Sequence, residues 1–499
     1  MENNIQEISA HLKRLSRPLN RNEKNIAIIL SAGHGKRIKS ETSKMLHKVW
    51  GVPTVLRVAR AAQNGLETDN QILVVGIKAV DVANVCGTRP NRCFAYQAEQ
   101  NGTGHAVKIA LQELGSKTHD GNIYVFPGDV GLLSEEVVSN FRKAFENSVC
   151  DMMVLTSIFR GLPSENYYGR IIRVPEKDAK GEKSPEAGMV IEIKEHKDIL
   201  ALQDEEKYTL TYHGREYAFS KHELIKINEF NTGLFAFKTN ALLEKIDHLK
   251  EDNVQGELYI TDLINIFNQD GLSVGAAATE DENSVLGFNV KSVLKQMENI
   301  ARDSVYDKLK DIITIADRED FFVADEVVDQ ILELDKTSGP LDIEIGKGVY
   351  VGPNVKLNKG VVFHSGATLE GNIVLGEYVV IDQAVNLSTY DHQVMRIGSN
   401  TEIFKGDIIK GNLIIGNNCR IESGVNITGS DEHPTRIGNN VLVKGTSRIF
   451  GCTIEDDIFI EHSVLKFCYV ERTVRKDGTI QPIQWVLPQP QGLDSIRYK

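Results

Sequence analysis

A loop with two glycines and several basic residues follows the first strongly apolar run of the sequence. It reads SAGHGKRIKSETSK, and its glycines and cations are Gly33, Gly35, Lys36, Arg37, Lys39 and Lys44. Glycines expose backbone N–H groups and cations neutralise a polyanion, so the loop predicts a phosphate cradle. It is not a Walker A loop, and a dinucleotide fingerprint would need a third glycine where Ile38 stands. A basic surface turn remains the alternative for the loop taken alone.

Alternating strands and helices must position this loop. Short apolar runs alternate with longer segments of helical apolar spacing up to about residue 289. The clearest strands are IAIIL, ILVVGI, IYVFPGD and MMVLTSI, over 26–30, 72–77, 123–129 and 152–158. The pattern predicts a doubly wound, Rossmann-like α/β domain over 25–290, after a polar extension over 1–24. Two charged stretches, 176–184 and 202–226, are predicted as hairpins or insertions at the rim of its sheet.

The second half of the chain repeats an aliphatic or aromatic residue every six positions. The series is Ile345, Val351, Leu357, Phe363, Leu369, Leu375, Ile381 and Leu387, then Ile397, Ile403, Ile409, Ile415, Ile421 and Ile427, then Ile437, Val443 and Ile449. Each of the two breaks is ten residues long, which adds a four-residue loop and keeps the register. This period predicts a parallel β-helix over 341–470, with a helical linker over 291–340 and a tail over 471–499. A β-sandwich with regular turns is the alternative.

Composition limits the classes of partner. The chain has 499 residues and a net charge of -12, so no broad positive field is expected to hold a nucleic acid. Six cysteines without a CxxC pair predict reduced thiols rather than disulfides or a metal site. The polar N-terminus and the absence of a long apolar run predict no signal peptide and no membrane span. We therefore expect a cytoplasmic protein.

Several short motifs in chain order carry a resemblance to a known family. They are LSAGHGKRIKSETSK, QAEQNGTGHAV, GDVGLL, YGRIIR with IKEHKD, FNTGLFAF, QGELYITD and LGFN. Together they resemble the bacterial N-acetylglucosamine-1-phosphate uridylyltransferases, within the nucleotide-sugar pyrophosphorylases. The sequence departs from the family pattern at Ser31, Lys36 and Ser43, where Ala, Thr and Pro are usual.

The resemblance implies Mg²⁺-dependent transfer of a uridylyl group from UTP to N-acetylglucosamine 1-phosphate. The attacking phosphate oxygen is already an anion, so positioning and charge neutralisation are needed rather than a general base. Asp129 and Asn289 offer hard oxygen ligands for Mg²⁺, although a lone Asp after a strand is also an ordinary helix cap. Arg37 and Lys44 are implied to hold the leaving pyrophosphate as catalytic residues.

The resemblance also assigns the remaining site residues. The implied nucleotide-binding residues are Ser31, Ala32, Gly33, Gly35, Gln97, Gly102 and Thr103. The implied sugar-binding residues are Gly169, Glu195, Asn231 and Thr232. His34, His105 and His196 lie inside these motifs, and we interpret them as packing or loop residues.

The family often carries a C-terminal left-handed β-helix that acetylates glucosamine 1-phosphate from acetyl-CoA and forms a homotrimer. The repeats match that fold, but Asp407 stands where the catalytic His is expected, and the segment GSDEHPTR lacks the expected Lys. Without an imidazole base, amine deprotonation has no evident agent. The sequence therefore predicts that acetyltransferase activity is absent. The widely spaced His364, His392, His433 and His462 are interpreted as surface or corner residues.

Two other functions stay open. The first is nucleotidyl transfer to another sugar 1-phosphate or from another nucleotide. The second is a non-catalytic scaffold that binds nucleotide-sugars through a decayed site. Retention of Arg37, Lys44, Asp129 and Asn289 together argues against decay.

Overall fold

The computed structural model describes residues 2–33, 35–115, 119–204, 207–253, 255–488 and 495. The chain divides into two compact units, Met1–Glu298 and Asn299–Lys499. In the described ranges, no helix is long and apolar enough to cross a membrane.

A nine-stranded sheet forms the centre of the first unit. Its strands in chain order are β1 Asn25–Ser31, β2 Gln71–Val75, β3 Arg92–Tyr96, β4 Asn122–Pro127, β5 Met152–Ile158, β6 Arg170–Arg173, β7 Val190–Lys194, β8 Glu229–Lys238 and β9 Val274–Thr279. The helices are α1 Glu2–Leu15, α2 Thr54–Leu66, α3 Ala79–Cys86, α4 Gly102–Gln112, α5 Glu135–Glu146, α6 His196–Ala201, α7 Lys221–Lys226, α8 Thr239–Lys245, α9 Leu263–Gln269 and the start of α10 Lys291–Leu309. Two small antiparallel pairs, Lys48–Val49 with Val52–Pro53 and Tyr208–Tyr212 with Arg215–Phe219, lie outside the sheet.

The sheet confirms the predicted α/β class and is mixed. Its order is β9-β5-β8-β4-β1-β2-β3, and β6 and β7 extend it beside β8. Strands β4, β1, β2 and β3 are parallel, whereas β8 runs antiparallel to β4 and β5. Side chains alternate between the two faces of β1, so Ala27 and Ile29 join one core while Ile26 and Ile28 join the other. Helices therefore cover both faces.

The polar extension is structured. Helix α1 buries Leu12 in the same core as Ala27. The following residues bond to the edge strand β3, because Arg17 N–H donates to the Arg92 carbonyl at 2.7 Å and the Ser16 hydroxyl accepts from Phe94 N–H at 3.0 Å. These bonds cover a sheet edge that would otherwise expose unpaired backbone groups.

Three parallel ladders build the second unit. The first contains Thr314–Ile315, Glu344–Ile345, Val362–Phe363, Val380–Ile381, Glu402–Ile403, Arg420–Ile421, Leu442–Lys444, Phe459–Glu461 and Ile483–Gln484. The second contains Phe321–Val323, Val349–Val351, Thr368–Glu370, Asn386–Ser388, Ile408–Gly411, Asn426–Gly429, Arg448–Phe450 and Val464–Lys466. The third contains Val355–Lys356, Ile373–Leu375, Met395–Ile397, Leu413–Ile415, Thr435–Ile437, Thr453–Ile454 and Tyr469–Val470.

In successive coils, every residue of the predicted six-residue series is buried inside the β-helix. All the residues of the six-residue series are at most 4% exposed. Ile345, for example, pairs with Phe363, which pairs with Ile381 one coil further on. The ladders begin at Thr314, inside the segment predicted as a helical linker, whose second helix is α11 Asp325–Ser338. They also take in Ile483 of the predicted tail.

The two four-residue loops that interrupt the repeat lie at the same corner of the β-helix, and side chains of one loop contact a side chain of the other. His392 Nε2 and Asp431 Oδ2 are 2.8 Å apart, and Gln393 Nε2 donates to Asp431 Oδ1 at 2.9 Å. The other three histidines have separate partners: His364 pairs with Asp382, His433 packs on Phe467, and His462 stacks on Trp485.

Asp407 lies inside the β-helix rather than on its surface. Its side chain is 0% exposed, Oδ1 accepts from Val425 N–H at 2.8 Å, and Oδ2 has no partner among the described residues. Burial raises the pKa of this carboxyl to about 7, against the opposing effect of the backbone N–H groups of Val425 and Gly424. The Asp407 carboxyl therefore lies away from the surface of the β-helix.

Because Asp407 is buried, we expect its contribution to the stability of the folded chain to fall as pH rises. Because the pKa of Asp407 is higher in the folded chain than the usual 3.8, the folded chain holds an extra proton between about pH 4 and pH 7. That stabilisation, roughly 4 kcal/mol at most, is present below pH 4 and lost by pH 7. Asp407→Asn keeps an acceptor for Val425 and cannot ionise. We expect its melting temperature relative to the wild type to rise between pH 5 and pH 8 in thermal unfolding. The exposed control Asp391→Asn should differ from the wild type in melting temperature by the same amount at every pH. The same constant difference in Asp407→Asn would contradict a protonated Asp407 carboxyl.

Candidate active site

A cavity of about 680 Å³ opens in the first unit at the carboxyl ends of the parallel strands. Ala32, Gln97 and Asp129, which lie within two residues of the ends of β1, β3 and β4, are among the residues that line it, as expected for ligand sites in open α/β sheets. Twelve predicted site residues line it: Ala32, Gly33, Gly35, Arg37, Lys44, Gln97, Gly102, Thr103, Asp129, Glu195, Asn231 and Asn289. Their roles remain predictions, but the fold brings them together.

The other three predicted site residues support the wall from outside the cavity. The Ser31 side chain is buried, and a Cβ added at Gly128 would be 2.7 Å from its hydroxyl. The Thr232 hydroxyl donates to the Leu155 carbonyl at 2.7 Å, so it is turned into the core rather than toward a sugar. Gly169 lies against Glu195, because a Cβ there would be 3.0 Å from Glu195 Oε1.

The phosphate loop leaves β1 at Ala32 and turns at Gly35. Gly35 has a φ of +58°, and an added Cβ would be 2.9 Å from Lys44 Cβ, so only glycine fits without strain. Arg37 is exposed in the short helical turn Lys36–Ile38. His34 and the Lys36 side chain lie outside the described parts of the chain.

The ammonium group of Lys44 lies between Asp129 and Asn289, the two predicted metal ligands. Its Nζ donates to Asn289 Oδ1 at 2.9 Å and forms a close ion pair with Asp129 Oδ2. The ammonium also lies 5.3 Å from the centre of the buried Phe288 ring. Carboxylate and amide oxygens that converge on one positive group suit a hard divalent cation, so these residues fit Mg²⁺. Across the described residues, no cluster of three or more His, Cys, Asp or Glu side chains could hold a metal.

The part of the cavity lined by Glu195 and Asn231 combines hydrogen-bond acceptors and donors with the aromatic ring of Tyr259. Asn231 Oδ1 accepts from Gly233 N–H at 2.8 Å, which leaves its amide nitrogen free to donate to a ligand. Burial, reinforced by Asp198 and Asp262, raises the pKa of Glu195 to about 7. Glu195 can therefore accept or donate a hydrogen bond near neutral pH.

A buried arginine holds the segment behind Glu195. Arg170 is 0% exposed, and its guanidinium donates to the carbonyls of Asn166, at 2.6 Å, and Tyr168. Its charge opposes the rise in the pKa of Glu195. Arg170 thus fixes the chain on either side of Gly169 without entering the cavity.

Among the described residues, five polar side chains that line the cavity were not assigned from the sequence: Gln100, Gln255, Glu257, Tyr259 and Thr261. All of them stand inside motifs that the sequence analysis quoted. A motif alone does not show which of its side chains face the ligand, so only the fold distinguishes them.

Comparisons with known proteins agree with this site. The family model described as a MobA-like NTP transferase domain matches residues 27–214. The bifunctional protein GlmU of Clostridium tetani is 35% identical over 305 residues, 61% of this chain and 58% of that protein. The bifunctional protein GlmU of Streptomyces avermitilis is 30% identical over 385 residues, 75% of this chain and 71% of that protein. The chain belongs to the GlmU family.

The family assignment confirms the resemblance found in the motifs. The NTP transferase match includes the phosphate loop, Gln97, Asp129 and Glu195, while Asn231 and Asn289 follow it in the chain. The GlmU-family match to the Clostridium tetani protein spans 58% of that relative's length. The family alone therefore does not establish this chain's substrates.

Proposed function

We propose that this chain transfers a uridylyl group from UTP to N-acetylglucosamine 1-phosphate, releasing UDP-N-acetylglucosamine and pyrophosphate. One observation supports the proposal most strongly: the glycine-rich loop, the cluster of Lys44, Asp129 and Asn289, and the polar side chains of Glu195 and Asn231 line a single cavity. The reaction joins two polyanions, so the site must hold both and neutralise their charge.

The phosphate loop and its cations bind the triphosphate in this proposal. The backbone around Gly33 and Gly35 approaches the phosphates closely because no side chain intervenes. Arg37 at the exposed edge and Lys44 within the cavity neutralise the charge that grows on the leaving pyrophosphate.

Asp129 and Asn289 are the residues that would hold Mg²⁺. Bound Mg²⁺ neutralises phosphate charge and helps to orient the α-phosphorus. The two residues would supply one carboxylate and one amide oxygen to the ion, the hard donors that Mg²⁺ prefers. Asp129 lies two residues after the end of β4 and Asn289 comes from a distant segment, so the fold fixes their relative position.

Glu195 and Asn231 orient the sugar so that its phosphate oxygen attacks the α-phosphorus in line. The attacking phosphate oxygen is already an anion, so this reaction needs no general base. We further propose a cytoplasmic homotrimer that forms through the β-helix, without acetyltransferase activity. All six cysteines are free thiols, which is compatible with a reducing compartment.

A substrate panel tests the sugar. We expect the highest kcat/KM for N-acetylglucosamine 1-phosphate when UTP and Mg²⁺ are held constant and glucose 1-phosphate and glucosamine 1-phosphate are compared with it. Preference for glucose 1-phosphate would keep the reaction and overturn the proposed sugar. No turnover with any sugar 1-phosphate or nucleoside triphosphate would favour the scaffold.

A further inference from the structure

The Gln97 side chain contacts His105, which the sequence analysis interpreted as a packing or loop residue. Gln97 follows β3, is 3% exposed and lines the cavity. Its Nε2 lies 3.2 Å from the Gly102 carbonyl oxygen and 3.3 Å from His105 Nδ1. Among the residues that the structure describes, none donates to Gln97 Oε1.

These contacts fix which end of the amide faces the cavity. A carbonyl oxygen only accepts, so Nε2 and not Oε1 must face Gly102. The second Nε2–H then points to His105 Nδ1, which must be unprotonated, with the ring proton on Nε2. Both hydrogens of the Gln97 amide then bond to Gly102 and His105. Oε1 is the group of this side chain that can accept a hydrogen bond from a ligand.

The backbone around this contact is tightly held. Gly102 has a φ of +94°, and an added Cβ would be 2.4 Å from the Leu258 carbonyl oxygen. Leu258 N–H donates to the Asn101 carbonyl at 3.0 Å, and Gly104 N–H donates to the Leu258 carbonyl at 2.8 Å. The backbone of the first turn of α4 is thus held in place, and with it the Gly102 carbonyl and the backbone from which the His105 side chain extends.

We propose that His105 is a positioning residue that locks the Gln97 amide with its oxygen toward the nucleobase. The locked oxygen accepts a hydrogen bond from the ring N–H of uracil or thymine and repels the ring nitrogen lone pair at the same edge of cytosine. His105 thereby contributes to base selection without contacting the base. This inference rests on the proposed nucleotidyl transfer, because it concerns the base of that nucleotide.

Three substitutions at one position test the lock. His105→Leu removes the acceptor, His105→Asn places an oxygen near the position of Nδ1, and His105→Gln places its amide near the position of Nε2 instead. We expect the ratio of kcat/KM for UTP over CTP to fall about tenfold in His105→Leu and His105→Gln, the effect of one hydrogen bond. His105→Asn should restore most of the ratio, and kcat at saturating UTP should change little in all three.

Measurements of nucleotide binding test the role of His105 independently of catalysis. The Kd values of UTP and CTP, measured by calorimetry for the same variants, should show the same change in ratio. Circular dichroism identifies any variant that fails to fold, and the remaining variants then decide. An unchanged UTP/CTP ratio in folded His105→Leu or His105→Gln would overturn the role of His105. Wild-type protein that binds UTP selectively without turnover would instead overturn the proposed reaction and leave the lock standing.

Discussion

Asp129→Asn is expected to lower nucleotidyl transfer by about 10³-fold or more. The substitution removes the negative charge beside the Lys44 ammonium and leaves an amide oxygen that can still accept from Lys44. The fold should therefore persist, because the buried ammonium keeps two oxygen partners. Pyrophosphate release under saturating substrates measures the loss.

Two controls make this prediction specific. Asp81→Asn changes an exposed carboxylate at the start of α3 and should retain wild-type turnover. Mn²⁺ binding, followed by electron paramagnetic resonance, should weaken in Asp129→Asn and not in Asp81→Asn. Near-normal turnover and Mn²⁺ affinity in folded Asp129→Asn would remove the proposed metal site.

Lys44→Met is expected to lower kcat by about 10²-fold or more and to tighten Mn²⁺ binding in the absence of nucleotide. The rate falls because the ammonium that would neutralise pyrophosphate is lost. Metal binding tightens because Lys44 Nζ occupies the space between Asp129 and Asn289, so the ammonium and a divalent cation compete for the same oxygens. Calorimetric titration with Mn²⁺ and steady-state kinetics measure the two effects.

The matched control is Lys48→Met, which removes an exposed lysine four positions later. It should change neither kcat nor Mn²⁺ affinity. If Lys44→Met binds Mn²⁺ as the wild type does, the competition is absent. If its kcat is also unchanged, Lys44 has no catalytic role.

The periodic features of the sequence predict most of the fold. The six-residue series locates the β-helix axis because each face of a coil adds the same number of residues, so an inward-facing position recurs every six residues and needs an apolar side chain each time. The apolar run 26–30 likewise predicts β1, since a strand covered on both faces needs apolar residues throughout. The strands at 314–315 and 321–323 were missed because they precede the repeat and lack its regular spacing.

The site is predicted less completely, for a physical reason. Motifs identify residue types, but contacts between distant segments decide their roles. Lys44 meets Asp129 and Asn289 across 85 and 245 positions of sequence, and no local pattern predicts that contact. Thr232 faces the core and His105 holds Gln97 for the same reason: the orientation of each side chain depends on its packed neighbours.

The most direct test of nucleotidyl transfer follows the phosphorus atoms of UTP. The protein would be incubated with Mg²⁺, N-acetylglucosamine 1-phosphate and UTP labelled either at the α- or at the γ-phosphorus, and the products separated. We predict that the α-label enters UDP-N-acetylglucosamine and that the γ-label leaves as pyrophosphate. Transfer of the γ-label to the sugar, or its release as orthophosphate with UDP, would contradict attack at the α-phosphorus and with it the proposed function.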